Sequence, residues 1–247
     1  MKRFVWALAG AVWLVPVCAA HGQKNCDEEV KLLLSPAQVQ VAISALGARR
    51  ETHGDIYFYD TPDLDLLAKG VVLRLRAREE IDLTAKLRPV SGARFSDPTG
   101  GKERYKCEVD LNDGVEAESF SVQNRYVSAK APTTGEELRQ LLSEGQKKLL
   151  EDSKVEIDWK RVRRMTEIRS TSWVTSAKGS LGKLSLELWE WPGGSLLEVS
   201  AKVAPDAGQA SYVELQDIAK KNGLAVSKDQ HPKTKTVLEQ IAAAKGS

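Results

Sequence analysis

Residues 70–78 of the sequence, GVVLRLRAR, alternate between apolar and basic side chains, and this alternation decides how the chain folds. Successive side chains of a β-strand point to opposite faces of the sheet. The two leucines and the alanine therefore share one face, and Arg74, Arg76 and Arg78 share the other. The stretch predicts a strand with one apolar face and one densely charged face.

The same division recurs in three further stretches. Their charged faces carry Asp27, Glu29 and Lys31; Lys86 and Arg88; and Lys106, Glu108 and Asp110. Two arrangements account for this pattern: an antiparallel sheet whose charged face lies in bulk water, or a closed barrel whose charged face lines an interior channel. Alternation alone does not distinguish the two.

Three arginines side by side on one strand favour the interior. In free solvent they repel one another without any local benefit, and a polyanion would relieve that repulsion. In a barrel, arginine and lysine side chains would hold phosphate oxygens, while aspartate and glutamate would hold a hard divalent cation. Hydrolysis of a phosphoanhydride needs positioned phosphates, a metal and an activated water, but no nucleophilic side chain.

The composition excludes several classes of protein. The 247 residues include 36 Lys and Arg against 34 Asp and Glu, and this formal charge of +2 argues against a protein that coats nucleic acid. A hydrophobic fraction of 42%, with 18 Gly and 9 Pro, argues against a multi-span membrane protein, a disordered tail or a collagenous rod. The chain is long enough for one large domain or two small ones.

Residues 1–20 have the features of a secretory signal peptide: Lys2 and Arg3, an apolar run over 4–17, and small residues up to Ala20. Cleavage after Ala20 fits best, and cleavage after Gly22 is the competing position. An uncleaved anchor is the alternative, although the run is short for the roughly 20 residues that cross a bilayer. We therefore expect an exported protein, periplasmic or secreted, with no membrane span after cleavage.

Export would remove Cys18 and leave Cys26 and Cys107 in a compartment where disulfides persist. An even pair of this kind permits one bridge. Buried free thiols in strands are equally natural, and the sequence leaves both alternatives open.

Hydrophobic periodicity and turn residues predict strands, a helix, further strands and two closing helices. The expected strands are 27–34, 55–60, 70–78, 83–90, 105–111, 155–159, 165–175, 181–191 and 196–203. The expected helices are 36–46, 133–152, 211–222 and 233–244, the second with Thr134 as its cap and Glu137 three residues on. A segment rich in Gly, Ser and Pro at 91–101 is expected to be a hairpin tip, and 27–244 to form one domain.

Four stretches taken together resemble the CYTH superfamily, also called the triphosphate tunnel metalloenzymes. They are Asp27-x-Glu29-x-Lys31, DIYFYDTP at 55–62, GVVLRLR at 70–76 and Thr84-Ala-Lys86. The resemblance covers nearly the whole chain after the signal peptide. It implies an α+β fold with a closed barrel of eight antiparallel strands and helices packed outside.

The resemblance also implies that residues 27–244 bind a triphosphate group. The implied phosphate contacts are Lys31, Arg74, Arg76, Lys86, Arg163, Arg169 and, on the C-terminal helix, Lys235. The implied ligands of Mg²⁺ or Mn²⁺ are Asp27, Glu29, Glu108, Glu187 and Glu198. Glu29 and Lys31 are the expected catalytic residues.

Two positions depart from the family pattern. Asp27 stands where glutamate is usual, which keeps the charge and shortens the reach by one methylene. The late strand offers Glu198, then Ser200 and Lys202, where the family often has two glutamates, so metal affinity is weakened there.

Three functions follow from these expectations. The first is metal-dependent hydrolysis of a phosphoanhydride bond in inorganic triphosphate or an organic triphosphate. The second is a non-catalytic exported protein that binds polyphosphate or a similar polyanion, which the altered late strand favours. An adenylyl cyclase ranks last because an exported protein seldom meets ATP, and we expect no nucleic-acid partner.

Overall fold

A closed barrel of β-strands forms the centre of the chain, which this computed structural model describes over residues 26–88, 95–125, 130–177 and 179–246. The strands, in chain order, are β1 (Asp27–Leu34), β2 (Ala48–Asp60), β3 (Val71–Ala77), β4 (Ile81–Leu87), β5 (Arg104–Asn112), β6 (Val115–Arg125), β7 (Arg163–Ala177), β8 (Lys183–Trp191) and β9 (Gly194–Val203). Around the barrel they follow the order β1-β5-β6-β4-β3-β2-β7-β8-β9, and β9 pairs with β1 to close it.

The expectation of eight antiparallel strands is wrong in two respects. The barrel has nine strands within the described residues, and it is mixed because β1 runs parallel to β5, from Asp27 opposite Glu108 to Val30 opposite Leu111. Strand β6, which pairs with both β4 and β5, was not among the expected strands. The closed barrel with helices outside is confirmed.

The inward face of β6 explains why it was missed. Ser121 and Gln123 line the interior there, so β6 lacks the charged alternation of its neighbours. The turn before it does carry a signal: Asp113 and Gly114 have φ of 48° and 74°, the left-handed conformation that Asp-Gly favours in two-residue hairpins.

Three other expectations need correction. The helix expected over 133–152 is two helices, because Ser143 begins a second one with its own capping box; the box formed by Thr134 and Glu137 is confirmed. Residues 155–159 form no strand and pack as an irregular segment under the helices.

Strands β4 and β5 each pair with β6 and not with each other, so 91–101 is not a hairpin tip. Residues 89–94 lie outside the described part.

Six helices accompany the barrel in the described residues. They are α1 (Val39–Leu46), α2 (Asp65–Ala68), α3 (Gly135–Leu141), α4 (Glu144–Asp152), α5 (Gly208–Lys221) and α6 (Lys233–Gly246). Helices α1 and α5 cover the apolar faces of β1, β8 and β9, whereas α3 and α4 cover those of β3, β4 and β6. Because helices cover the apolar faces on the outside, the charged faces of these strands line the interior.

Helix α6 packs differently from the other helices. Its residues Val237, Leu238 and Ile241 are buried against inward side chains of the barrel, including Phe58 and Trp189. Apolar contacts thus fill this part of the interior, and charged groups line the rest. None of the helices in the described ranges is long and apolar enough to cross a membrane. The proposed signal peptide, residues 1–20, lies outside the described residues.

The two cysteines left open by the sequence form a disulfide. Cys26, just before β1, is bonded to Cys107 of β5, with their Cα atoms 4.6 Å apart. The bond therefore joins the two strands that run parallel.

Candidate active site

The interior of the barrel holds a cavity of about 260 Å³, here called the tunnel. This is slightly below the roughly 300–1,000 Å³ typical of pockets for drug-sized ligands. Eight Lys and Arg residues line it against four Glu, which leaves an excess of four positive charges. The basic residues are Lys31, Arg74, Arg76, Lys86, Arg88, Lys106, Lys202 and Lys233, and the acidic ones are Glu29, Glu108, Glu187 and Glu198.

The carboxylate of Asp110, on β5, forms ion pairs with three of these cations. This fully buried carboxylate lies 2.7 Å from Lys31 Nζ, 2.8 Å from an Arg88 nitrogen and 3.6 Å from Lys86 Nζ. Burial alone would raise the pKa of Asp110, but the three positive charges outweigh it and hold that pKa well below its usual range. Asp110 is therefore a permanent anion that fixes the basic side chains around it.

Glu29 and Lys31 project from β1 into the tunnel and contact each other. The Lys31 ammonium lies 3.2 Å from Glu29 Oε2, and the Ser200 hydroxyl of neighbouring β9 donates to Glu29 Oε1 at 2.9 Å. Burial lowers the pKa of Lys31, but Asp110 and Glu29 raise it more, so Lys31 stays charged. Ser200, one of the departures from the family pattern, thus orients the glutamate that the pattern retains.

A second acidic group lies where β8 and β9 meet. Glu187 and Glu198 are directly opposite each other in the strand register, and Lys233 from the first turn of α6 bridges them. Lys233 Nζ lies 2.6 Å from Glu187 and 2.8 Å from Glu198. Arg78 and Ser170 also donate to Glu187, at 2.8 and 2.7 Å. Burial raises the pKa of Glu187, but Lys233 and the hydrogen bond from Ser170 lower it well below its usual range.

Arg74 is a tunnel cation without an ion-pair partner among the described residues. Its Nε atom is buried without a hydrogen-bond partner. Burial and the adjacent charge of Arg76 lower the pKa of Arg74 to about 9, which leaves it protonated at neutral pH. Arg76 itself lies 3.1 Å from Asp82. A buried guanidinium nitrogen without a hydrogen-bond partner is costly unless an anion binds there.

Most residues expected at the site do converge. The tunnel lining includes Glu29, Lys31, Arg74, Arg76, Lys86, Glu108, Glu187 and Glu198. The strand parity read from the sequence accounts for six of them, which fall on the charged faces of their strands; Glu187 and Glu198 were expected from the resemblance.

Four expected residues do not reach the tunnel. Arg163 and Arg169 are exposed; Arg169 points outward because the buried neighbours Ile168 and Ser170 occupy the inward positions of β7. Lys235 is exposed on α6, 3.9 Å from Glu239. Asp27 is exposed at the first residue of β1, outside the tunnel lining.

Several functional residues were not among those expected. Arg78, Arg88 and Asp110 lie on charged faces that the alternation had identified, so strand parity was a sufficient signal for them. Lys233 was not among the expected residues, whereas Lys235, two positions on, was. Which of the two lysines faces the barrel depends on the docking of α6, and no local pattern encodes that.

The acidic residues do not form a preformed metal cage. Within the described ranges, the one group of three close potential ligands is Cys26, Cys107 and Glu118, and its two sulfurs are consumed by the disulfide. Magnesium is usually bound through one or two carboxylates together with substrate phosphates. Glu29 and Glu108 are hard oxygen donors that face the tunnel, and they fit a divalent ion bound together with phosphate oxygens.

Comparison with known proteins assigns the family. The profile of the CYTH domain matches residues 28–168, more than half of the chain. The chain belongs to the CYTH domain family. Enzymes of this superfamily generally use divalent metals such as Mg²⁺ or Mn²⁺. No curated protein matches the sequence.

Solved structures share the fold of this CYTH domain. A Hippeastrum protein, described as a putative adenylyl cyclase with a dominant triphosphatase activity, aligns with a TM-score of 0.59 at 19% identity, over 86% of this chain and 94% of its own. A putative adenylate cyclase from Bacillus halodurans aligns with a TM-score of 0.57 at 14% identity, over 85% and 96%. At these identities the likeness concerns the fold alone.

Proposed function

We propose that this CYTH domain binds the phosphate chain of inorganic triphosphate or of an organic triphosphate in its tunnel and hydrolyses a phosphoanhydride bond in it. The observation that carries the proposal is Arg74, a guanidinium with a buried, unpartnered nitrogen in a cavity with an excess of positive charge. A chain of phosphate oxygens supplies the anions that this cavity lacks.

The tunnel residues take distinct roles in this proposal. Arg74, Arg76 and Lys86 contact phosphate oxygens, and Lys31 holds Glu29 in place beside them. The water oxygen bonds to phosphorus as the bridging P–O bond breaks, the departing phosphate keeps the electron pair, and the water gives up a proton to that phosphate or to solvent. Phosphoryl transfer depends chiefly on positioning and charge stabilisation, so no side chain needs to form a covalent bond.

A divalent metal would bind at Glu29 and Glu108. Mg²⁺ or Mn²⁺ held by these two carboxylates would supply positive charge to neutralise the charge that develops during hydrolysis. This assignment is supported by the two carboxylates that face the tunnel.

The second candidate is a non-catalytic protein that binds polyphosphate or a similar polyanion. It is favoured by a specific observation: Lys233 neutralises Glu187 and Glu198, two of the five expected metal ligands. In this case the phosphate chain would bind without turnover.

We further propose that the protein acts after export, in the periplasm or outside the cell. The basic and apolar pattern of residues 1–20 supports this, as does the Cys26–Cys107 disulfide, because such bonds persist in oxidising compartments.

The decisive experiment measures phosphate release from tripolyphosphate with Mg²⁺, with Mn²⁺ and with EDTA, together with binding by calorimetry. Metal-dependent release supports the hydrolase, and binding without release supports the second candidate. Arg74→Ala should weaken binding by about 10- to 150-fold, the equivalent of roughly 1.5–3 kcal/mol for a charge-assisted hydrogen bond. Lys235→Ala is the matched control and should bind as wild type does. No binding by the wild-type protein would refute both candidates.

A further inference from the structure

The pair formed by Glu187 and Glu198 is arranged as a cation site. Two carboxylates directly opposite each other on neighbouring strands repel, which destabilises a sheet unless a cation lies between them. Both are largely withdrawn from solvent, with 21% and 9% of their side chains exposed. The barrel therefore requires a positive charge at this point.

Lys233 supplies that charge from a position fixed by the fold. Its ammonium contacts both carboxylates, its side chain is 9% exposed, and it lies 4.2 Å from the centre of the Trp189 ring. Lys233 is the first residue of α6, and the apolar residues of this helix are buried against the barrel. The ammonium is thus held by the two carboxylates and the face of the Trp189 ring.

We propose that Lys233 is a built-in cation that occupies the Glu187–Glu198 pair in place of a divalent metal, so that this half of the tunnel binds anions without metal. The neighbouring inward residues of β9, Ser200 and Lys202, contribute no further carboxylate. Burial lowers the pKa of Lys233, but Glu187 and Glu198 raise it overall, so the ammonium stays charged. A divalent ion at this pair would have to displace a charged group that already satisfies both carboxylates.

The first part of the proposal, that Lys233 takes the place of a metal, stands on the contacts of Lys233. The second part, that anions bind beside it, rests on the proposed function. The test therefore omits phosphate. Mn²⁺ binding is followed by electron paramagnetic resonance and calorimetry in the full chain, with wild type, Lys233→Met, Lys233→Arg and the double variant Lys233→Met/Glu198→Gln. Lys235→Met, on the exposed face of the same helix, is the control.

Lys233→Met should gain one Mn²⁺ site that wild type, Lys233→Arg and Lys235→Met lack, and Glu198→Gln added to it should remove that site. Failure of folded Lys233→Met to gain a site overturns the proposal. If Lys233→Met does not fold, the proposal is tested by comparing Mn²⁺ binding in wild type and in the single variant Glu198→Gln. Equal Mn²⁺ stoichiometry in the two supports the built-in cation, and loss of a site in Glu198→Gln refutes it. None of these outcomes depends on triphosphate binding.

Discussion

Asp110→Asn removes the negative charge on which three tunnel cations depend, while it keeps the shape of the side chain. In the native barrel the buried carboxylate contacts Lys31 at 2.7 Å, Arg88 at 2.8 Å and Lys86 at 3.6 Å. Asparagine would leave these three positive charges close together, without their shared anion and with little access to water.

The expected magnitude follows from that burial. Removing one partner of a buried ion pair typically costs about 3–5 kcal/mol, because the other charge stays buried and uncompensated. For a chain of this size, each kcal/mol corresponds to roughly 2–4 °C in the unfolding midpoint. Asp110→Asn should therefore lower the midpoint by about 6–20 °C, measured by circular dichroism or calorimetry at neutral pH.

The matched control is Glu144→Gln. Glu144 pairs with Lys147 at 2.7 Å, but its side chain is 90% exposed, and exposed pairs contribute about 0–1 kcal/mol. If Asp110→Asn shifts the midpoint no more than this control does, Asp110 does not organise the tunnel, and the description of the site is wrong.

Three further predictions test other contacts. Glu29→Gln should abolish phosphate release from tripolyphosphate and leave the unfolding midpoint within a few degrees of wild type; unchanged turnover would remove Glu29 from the site. Burial raises the pKa of Glu108, but Lys86 and Lys106 lower it more, to about 2, so its contribution to stability is present above its ordinary value of 4.5 and is lost as the pH falls from there towards 2. Glu108→Gln should therefore flatten the dependence of stability on pH in that window, and an unaltered acid profile would contradict this. Cys26→Ser opens a bridge that spans 81 residues and should cost about 4 kcal/mol in urea denaturation, whereas reductant should have no effect on that variant.

The parity of charged residues allowed the charged faces that line the tunnel to be predicted from the sequence. Alternation along β3 placed Arg74 and Arg76 on one face, and the same rule correctly placed Lys86 and Glu108. Parity alone was insufficient to choose between bulk water and a lumen. That choice depends on helices covering the apolar faces, which is a property of the tertiary packing.

The errors have equally specific physical origins. β6 was missed because its tunnel-lining residues, Ser121 and Gln123, are uncharged, so the charged face that marks the other strands is absent. Arg169 was placed by resemblance, although the inward positions of β7 belong to Ile168 and Ser170. Lys235 was preferred over Lys233 because the orientation of a terminal helix about its own axis is set by its docking and not by its local sequence.

The contacts also distinguish cations that can receive a phosphate directly from cations that must first give up a partner. Arg74 has no ion pair with the described residues, so an anion binds it without breaking a contact. Arg76 is held by Asp82 at 3.1 Å, and a phosphate must compete with that carboxylate.

Removing the competitor should therefore strengthen binding. Asp82→Asn frees Arg76 and takes one negative charge from its surroundings, so we expect tripolyphosphate to bind several-fold more tightly, by about 0.5–1 kcal/mol for a partly exposed pair. Arg76→Ala should weaken binding less than Arg74→Ala, because part of its interaction with phosphate is offset by the contact it loses with Asp82. Calorimetric titration of the three variants gives the order directly. Weaker binding by Asp82→Asn would mean that Asp82 positions Arg76 for the phosphate instead of competing with it. A larger loss of binding in Arg76→Ala than in Arg74→Ala would mean that the unpaired guanidinium of Arg74 is not what sets the affinity.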